Sequence, residues 1–342
     1  MLDDAFGRLN VDVAVDLGTA NTRVFVRGKG LAAELPSVVA VEQHGGTRRV
    51  VAVGDEARRM LGRTPEHILA VRPLRGGIVE DYALAQHLLE QGLRIAASGR
   101  SWRGLRMLVC VPQATEEVAR RAVQDAARAA GARHVDLVAK SVAASLGAEL
   151  PYTQPMASVV VDMGAGITEI SLLSMGAPVD IETVRGGGAV LDDSIASWVQ
   201  EHHKAMIGDR TAEIIKTQVA GATARREPLS MVVTGRDLTT GIPREVRIES
   251  ELLVPTIQAG LQPIALGLRR LLSRASPEFA ADVADQGIVL TGGGARLTAV
   301  EDWLSETTGI PVVVAEHPER ATILGAGRML GLGDDCARLL IR

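Results

Sequence analysis

Cysteine is nearly absent from this chain: Cys110 and Cys336 are the only two among 342 residues, and each sits in an apolar context. So small a set offers no disulfide framework and no thiol cluster for a metal; reduced, buried thiols in a cytoplasmic protein are the expectation. Aromatic residues are scarce as well, at 2%, so the core has to be built from Val, Leu, Ile and Ala. No apolar run approaches the ~20 residues that span a bilayer. The first residues lack the basic-then-apolar order of a secretory signal. A net charge of −4 without a charged tail gives no footing to a nucleic-acid partner.

What remains is an ordinary globular composition, 46% hydrophobic and 23% charged, which places the chain among folded proteins. Its length exceeds what one core holds, so two domains are expected. In "MLDDAFGRLN", Leu2, Ala5, Phe6 and Leu9 fall at helical spacing. Such a helix lays its face on a membrane or partner, or folds back onto its own domain; Asp3 and Asp4 weigh against an anionic membrane.

The informative feature is a repeat. "VAVDLGTANTRVFV" (Val13–Val26) sets Asp16, Gly18 and Thr22 where "VVVDMGAGITEISL" (Val159–Leu172) sets Asp162, Gly164 and Thr168. Both turns lie between apolar strands, which suggests two domains of like construction. Glycine lets backbone approach a ligand closely. Successive N–H groups in such a turn form a concavity for phosphate oxygens, and Thr hydroxyls add donors. An Asp leaving the strand then serves Mg²⁺ through water. One such motif alone describes an ordinary hairpin; two in matching contexts argue for a ligand. "GIVLTGGGARLTAVEDWL" adds a strand, the Gly292-Gly293-Gly294 cluster and a helix, where a nucleoside or phosphate can reach backbone. The expectation is an α/β fold with a cleft between two related domains that grips a nucleotide from both sides.

These motifs resemble the actin, sugar-kinase and heat-shock-chaperone ATPase superfamily, and within it the MreB/Mbl bacterial actins. "DLGTANTRVFVRGKG", "LPSVVAV", "AVGDEARRMLGRTPEHILAVRPLRGGIVEDY" and "IGDRTAEIIK" are similar to MreB stretches in the same order, as is "GRDLTTGIPREVRIESE" (Gly235–Glu251). The likeness runs from about Asp12 to Gly331. It implies an actin-like domain over 1–150 and a second over 151–342, with a small inserted subdomain near 190–255 and a C-terminal helix returning to the first domain. It implies ATP or ADP with Mg²⁺, held by Gly18, Thr19, Ala20 and Asn21, by Gly164, Ala165 and Gly166, and by Gly292, Gly293 and Gly294. Asp16 and Asp162 would face the metal, and Glu213 and Lys216 the ribose and base. On residues alone, Glu213 and Lys216 also read as a surface i,i+3 pair.

The chain departs from the family pattern at four places in the catalytic half of the cleft, and on the adenosine side Ile214 replaces a usual Glu. "AKSVAASLG" (Ala139–Gly147) puts Lys140 where relatives carry the glutamate that positions the attacking water. An ammonium cannot polarise water as a carboxylate does, and losing such a group typically costs 10²–10⁴-fold in rate. Lys140 then binds phosphate as a point charge or points to solvent, and no catalytic residue is assigned. In the second hairpin Ala165 adds a Cβ and Ile167 removes a Thr donor. Ala189 replaces an acid in "RGGGAVLD".

Coarse patterning predicts strands at 11–26, 36–42 and 49–53, a buried strand in "MLVCVP", and a helix from an N-cap at Thr115 to Gly131. "SGRSWRGLRM" sets Trp102 beside Arg103, which with Phe6 are the candidate membrane contacts; a Trp packed on its own domain is the alternative. The resemblance thus implies a nucleotide-binding filament former with weak or absent hydrolysis. It would be peripheral on the inner face of the plasma membrane, with itself, the membrane surface and cell-wall and shape-determining membrane proteins as partners. A non-polymerising adaptor of the same fold is the alternative. A sugar kinase or chaperone reading needs a substrate base, or a peptide-binding domain beyond residue 335.

Overall fold

Asp12–Leu17 (β1) buries five of its six residues, the unbroken apolar pattern of a strand covered on both faces. The computed structural model describes residues 12–44, 47–98, 104–151, 153–332 and 337–341, and β1 is central to the first of two units into which the chain divides. This unit takes in Met1–Gln154, Met175–Pro178 and Arg320–Arg342; the second takes in Pro155–Ser174 and Val179–Glu319.

In the first unit β1 turns into the antiparallel Asn21–Val26 (β2), which pairs with Gly30–Pro36 (β3). Val39–His44 (β4), Thr47–Val53 (β5) and Ile68–Val71 (β6) form a separate sheet in the order β5-β4-β6, with the helix Asp55–Met60 (α1) after β5. Leu74–Arg75 (β7) and Ile78–Val79 (β8) make a two-stranded ribbon. The helix Tyr82–Ala97 (α2) starts at Asp81, whose carboxylate accepts a hydrogen bond from the Leu84 amide, the usual N-cap device. Arg106–Val111 (β9) joins β1 in parallel, and His134–Ala139 (β10) joins β9, completing the order β10-β9-β1-β2-β3. Between them lies Glu117–Ala129 (α3). Its N-cap is Glu116 without a side-chain bond, which corrects the expectation of Thr115. The Thr115 amide is held by the Pro112 carbonyl in the preceding turn, so the chain enters the helix one residue later. Gly131 takes φ +108 just past the C-cap Ala130 and ends the helix as expected. Lys140–Gly147 (α4) follows β10 with no intervening residue.

The second unit repeats the plan. Ala157–Met163 (β11), Thr168–Ser174 (β12) and Ala177–Val184 (β13, in this unit from Val179 on) come first, then the helix Gly188–His203 (α5), the short strand Ala205–Met206 (β14) and the helix Asp209–Gln218 (α6). Ser230–Asp237 (β15) and Pro243–Glu249 (β16) form a small sheet with β14. The long helix Ser250–Arg274 (α7) and Pro277–Gln286 (α8) lead to Ile288–Thr291 (β17), Val300–Thr308 (α9) and Val312–Val314 (β18). The main sheet is ordered β13-β12-β11-β17-β18. In each unit the central strand is antiparallel to the next strand in sequence and parallel to the later one on its other side. The sequence repeat is therefore also a repeat of sheet topology.

Each unit has its own aliphatic core. Val13, Val15, Leu88, Leu89 and Val109 anchor the first; Val161, Ile170, Ile195, Leu253 and Leu290 anchor the second, joined by Trp198 and Trp303. The last helix, Ala321–Met329 (α10), lies in the first unit against α4. The approach is so close that a Cβ on Gly147 would stand 1.8 Å from the Ala321 carbonyl oxygen, and one on Gly325 1.8 Å from that of Ala143. No helix among the described residues is long and apolar enough to cross a membrane.

Candidate functional site

The two hairpins are closed by the same bond. Gly18 donates its amide to the Asn21 carbonyl at 3.1 Å, and Gly164 donates to that of Ile167 at 3.0 Å. A Cβ on either glycine would sit 2.7 or 2.9 Å from that acceptor oxygen, so the turn itself demands glycine. The loops are also clamped from outside. Ser37 bonds the Gly18 carbonyl through its hydroxyl at 2.6 Å and the Ala20 carbonyl through its amide at 2.8 Å. In the second unit the amides of Gly188 and Ala189, at the start of α5, hold the carbonyls of Gly164 and Ala165 at 3.0 and 2.9 Å. Two loop carbonyls in each hairpin are thus spent on the protein. Among the described residues, none accepts a hydrogen bond from the loop amides of Thr19, Ala20, Ala165 or Gly166. That is the donor pattern of an anion-binding concavity.

The threonines do less than expected. Thr22 and Thr168 are fully buried and face inward, Thr22 against the Ser37 hydroxyl at 2.9 Å and Thr168 donating to the Gly186 carbonyl at 2.8 Å. They fix the hairpins and offer nothing to a ligand, a correction to the reading of both as phosphate donors. The Thr19 hydroxyl remains at the loop, where it accepts from the Gly77 amide at 3.2 Å. Gly76 and Gly77 take φ +57 and +78, and the double glycine of "RPLRGGIVEDY" is the sequence signal of that turn.

Asp16, the last acid of β1, is not free to serve a metal. Its Oδ1 lies 2.7 Å from the Lys140 ammonium, and its Oδ2 lies 3.7 Å from the Arg23 guanidinium on the neighbouring strand. Both partners are largely buried, with 9% of the Asp16 side chain and 14% of that of Lys140 exposed. Lys140 therefore points to Asp16 and not to solvent. Arg23 goes on to Glu34 at 2.8 Å, and Glu34 to Arg320 at 3.0 Å. Burial works to raise the Glu34 carboxyl, but Arg23 and then Arg320 outweigh it and hold it below the usual range. Three cations against two carboxylates leave the chain of charges with one net positive charge.

Such a setting does not fit a divalent ion at Asp16. Each unit of like charge 4 Å away costs about 4 kcal/mol at an effective dielectric near 20, and Lys140 already holds the carboxylate. Asp162 differs. It is half-buried, and its Oδ1 accepts a long bond, 3.4 Å, from the Thr291 hydroxyl.

Several predicted residues meet in the second unit. Gly292, at φ +81, packs on the end of β11: a Cβ there would lie 2.5 Å from the Met163 carbonyl oxygen and 2.6 Å from Asp162 Oδ1. Gly294 lies against Met163 in the same way, whereas nothing stands within 4 Å of a Cβ on Gly293. The cluster opens a short 3₁₀ turn, Gly293–Arg296, and α9 begins only at Val300, so the glycines do not open a long helix. Lys216 donates to the Gly188 carbonyl and to Asp192, each at 2.8 Å. Its ion pair is thus with Asp192 on α5. Burial lifts the Asp192 carboxyl from 3.8 to about 6 despite Lys216, with Glu213 and Asp193 pushing the same way. Phe6, Trp102 and Arg103 lie outside the described residues, as does Cys336; Cys110 is buried on β9.

A duplicated sheet of this topology, with a glycine hairpin at the end of each central strand, defines an actin-like protein. MreB5 of Spiroplasma citri bound to ADP aligns with a TM-score of 0.89 at 28% identity, covering 94% of this chain and 96% of that one. Its AMPPNP-bound form aligns at 0.88 and 27%, over 96% and 97%. The family model described as MreB/Mbl protein matches residues 10–337. The cell shape-determining protein MreB of Escherichia coli (strain K12) is 39% identical over 337 residues, 98% of this chain and 97% of that protein. Mbl of Bacillus subtilis (strain 168) is 37% identical over 321 residues, 93% and 95% of the two. The chain belongs to the MreB/Mbl family.

Proposed function

We propose that this chain is an MreB-like bacterial actin that binds an adenine nucleotide, polymerises along the inner face of the plasma membrane and there organises cell-wall synthesis and cell shape. The two units are its actin-like domains, and the β14–β15–β16 sheet is the small insertion of the second. The observation that carries this reading is the pair of matched hairpins, each with two carbonyls tied to the protein and two loop amides uncommitted. Relatives support it: MreB5 has been solved with ADP and with AMPPNP, and the E. coli and B. subtilis relatives are named as shape-determining.

Hydrolysis is weak or absent in this reading, because Lys140 stands at the glutamate position and is turned onto Asp16. The small sheet supports self-association, since Val232, Leu238 and Ile242 on its β15–β16 hairpin are 56%, 42% and 64% exposed. Membrane attachment rests on Trp102, Arg103 and Phe6. Liposome co-sedimentation that survives Trp102→Ser with Arg103→Ser would remove that part.

A non-polymerising adaptor of the same fold is the second reading, favoured by the committed state of Asp16. High-speed pelleting with and without ATP, alongside phosphate release, tests both. Nucleotide-dependent pelleting with little released phosphate is the expected result. A protein that stays in the supernatant at all concentrations is the adaptor, and one that releases phosphate at the rate of an ordinary MreB protein ends the hydrolysis claim.

A further inference from the structure

The pairing of Asp16 with Lys140 bears on which form of the nucleotide is bound, an inference that rests on the nucleotide-binding reading above. Lys140 is the first residue of α4, which continues β10 directly; β10 lies beside β9, and β9 beside β1. Backbone continuity therefore fixes where the ammonium emerges. It lands 2.7 Å from Asp16 Oδ1, and Asp16 Oδ2 lies only 4.0 Å from a Cβ built on Gly18, the first residue of the hairpin. The ammonium, the carboxylate and the loop amides of Thr19 and Ala20 thus belong to one small region of the first unit. Arg23 guards the other carboxylate oxygen at 3.7 Å.

We propose that Lys140 is a resident cation: its ammonium takes the role that a divalent ion bridged to Asp16 would take, and the chain binds its nucleoside di- or triphosphate as the metal-free anion. Three features converge on this. Of the two carboxylates expected to face the metal, Asp16, the one in this unit, is already neutralised. The linked charges of Lys140, Asp16, Arg23, Glu34 and Arg320 end with one positive charge in excess, which suits an anion and opposes a dication. The loop amides beside them supply neutral donors for phosphate oxygens. A cation at the first turn of a helix is electrostatically disfavoured, so Lys140 at the head of α4 is itself a placement that Asp16 or an anion must offset.

The test is calorimetric titration of the full chain with ADP and with ATP, first in excess Mg²⁺ and then in excess EDTA. Affinity in EDTA within about threefold of that in Mg²⁺ is the expected result. Loss of more than about tenfold in EDTA would overturn the proposal while leaving nucleotide binding itself intact. Binding in neither buffer would remove the nucleotide reading and this inference together. Two variants separate the role from mere structure. Lys140→Arg, which keeps the charge, should remain indifferent to EDTA. Lys140→Glu should become Mg²⁺-dependent, and a Lys140→Glu protein that binds equally well in both buffers also overturns the proposal. The wild-type comparison decides the question even where a variant fails to fold.

Discussion

Gly292, Gly293 and Gly294 are alike in sequence and different in space. A methyl group on Gly292 or Gly294 would collide with Met163, whereas one on Gly293 meets nothing within 4 Å. Gly293→Ala is therefore the substitution that separates ligand from fold: melting temperature should stay within about a degree of wild type, since a surface change without strain lies within about 0.5 kcal/mol, while calorimetric affinity for ADP falls. Gly292→Ala should lower both. Asp16 obeys a different rule. Asp16→Asn removes the carboxylate that faces Lys140 in a largely buried site and leaves Arg23 to Glu34, and urea unfolding is expected to show a loss of about 3 kcal/mol. Sequence made the type of these residues plain but not their commitments. Asp16, Gly18 and Lys140 stand out in the repeat and in the family pattern. That Lys140 closes on Asp16 depends on a contact across 124 positions, and Ser37 sits in "LPSVVAV" with nothing in that stretch to mark it as the clamp of the first hairpin.

At the level of elements, α4 and α10 show how small residues set a distance. Ala143 and Gly147 on one helix face Ala321 and Gly325 on the other, with backbone close enough to exclude a single methyl group. Gly325→Ala is expected to cost at least the upper end of the roughly 1–3 kcal/mol typical of overpacking, visible as a lower urea midpoint. Neither helix is conspicuous in sequence, because eight or nine residues rich in Ala and Gly show little periodicity. The long helix α7 was hidden for another reason. Pro255 and Pro263 lie inside it, and proline ordinarily marks a helix end. Its buried stripe of Leu253, Ile257, Leu261, Ile264 and Leu268 holds the helix through both. Strands are easier to read, since β1, β9 and β11 are the long apolar runs. The strand β3 is not legible in sequence, because Gly30–Pro36 mixes glycine, glutamate and proline among its apolar residues.

Across the whole molecule two carboxylates pull the pH dependence of stability in opposite directions. Folded Asp192 keeps its proton up to about pH 6, while the unfolded chain releases it near 3.8. The folded state binds more protons across that window, so stability falls as pH rises through it, by at most about 3 kcal/mol. Glu34, held below its ordinary 4.5, stabilises the fold above that value and ceases to do so as pH falls through its folded value. Asp192→Asn is expected to flatten the decline between pH 4 and 6 in a series of melting curves, leaving the acid limb in place. The scarcity of aromatics, which told so little about chemistry, gives the duplicated fold a built-in optical label. Trp198 and Trp303 are both in the second core, and the third tryptophan, Trp102, falls in the span of the first unit. With Trp102 changed to Phe, indole emission would follow the second unit alone while circular dichroism follows both, so any gap between the two transitions would reveal halves that melt separately.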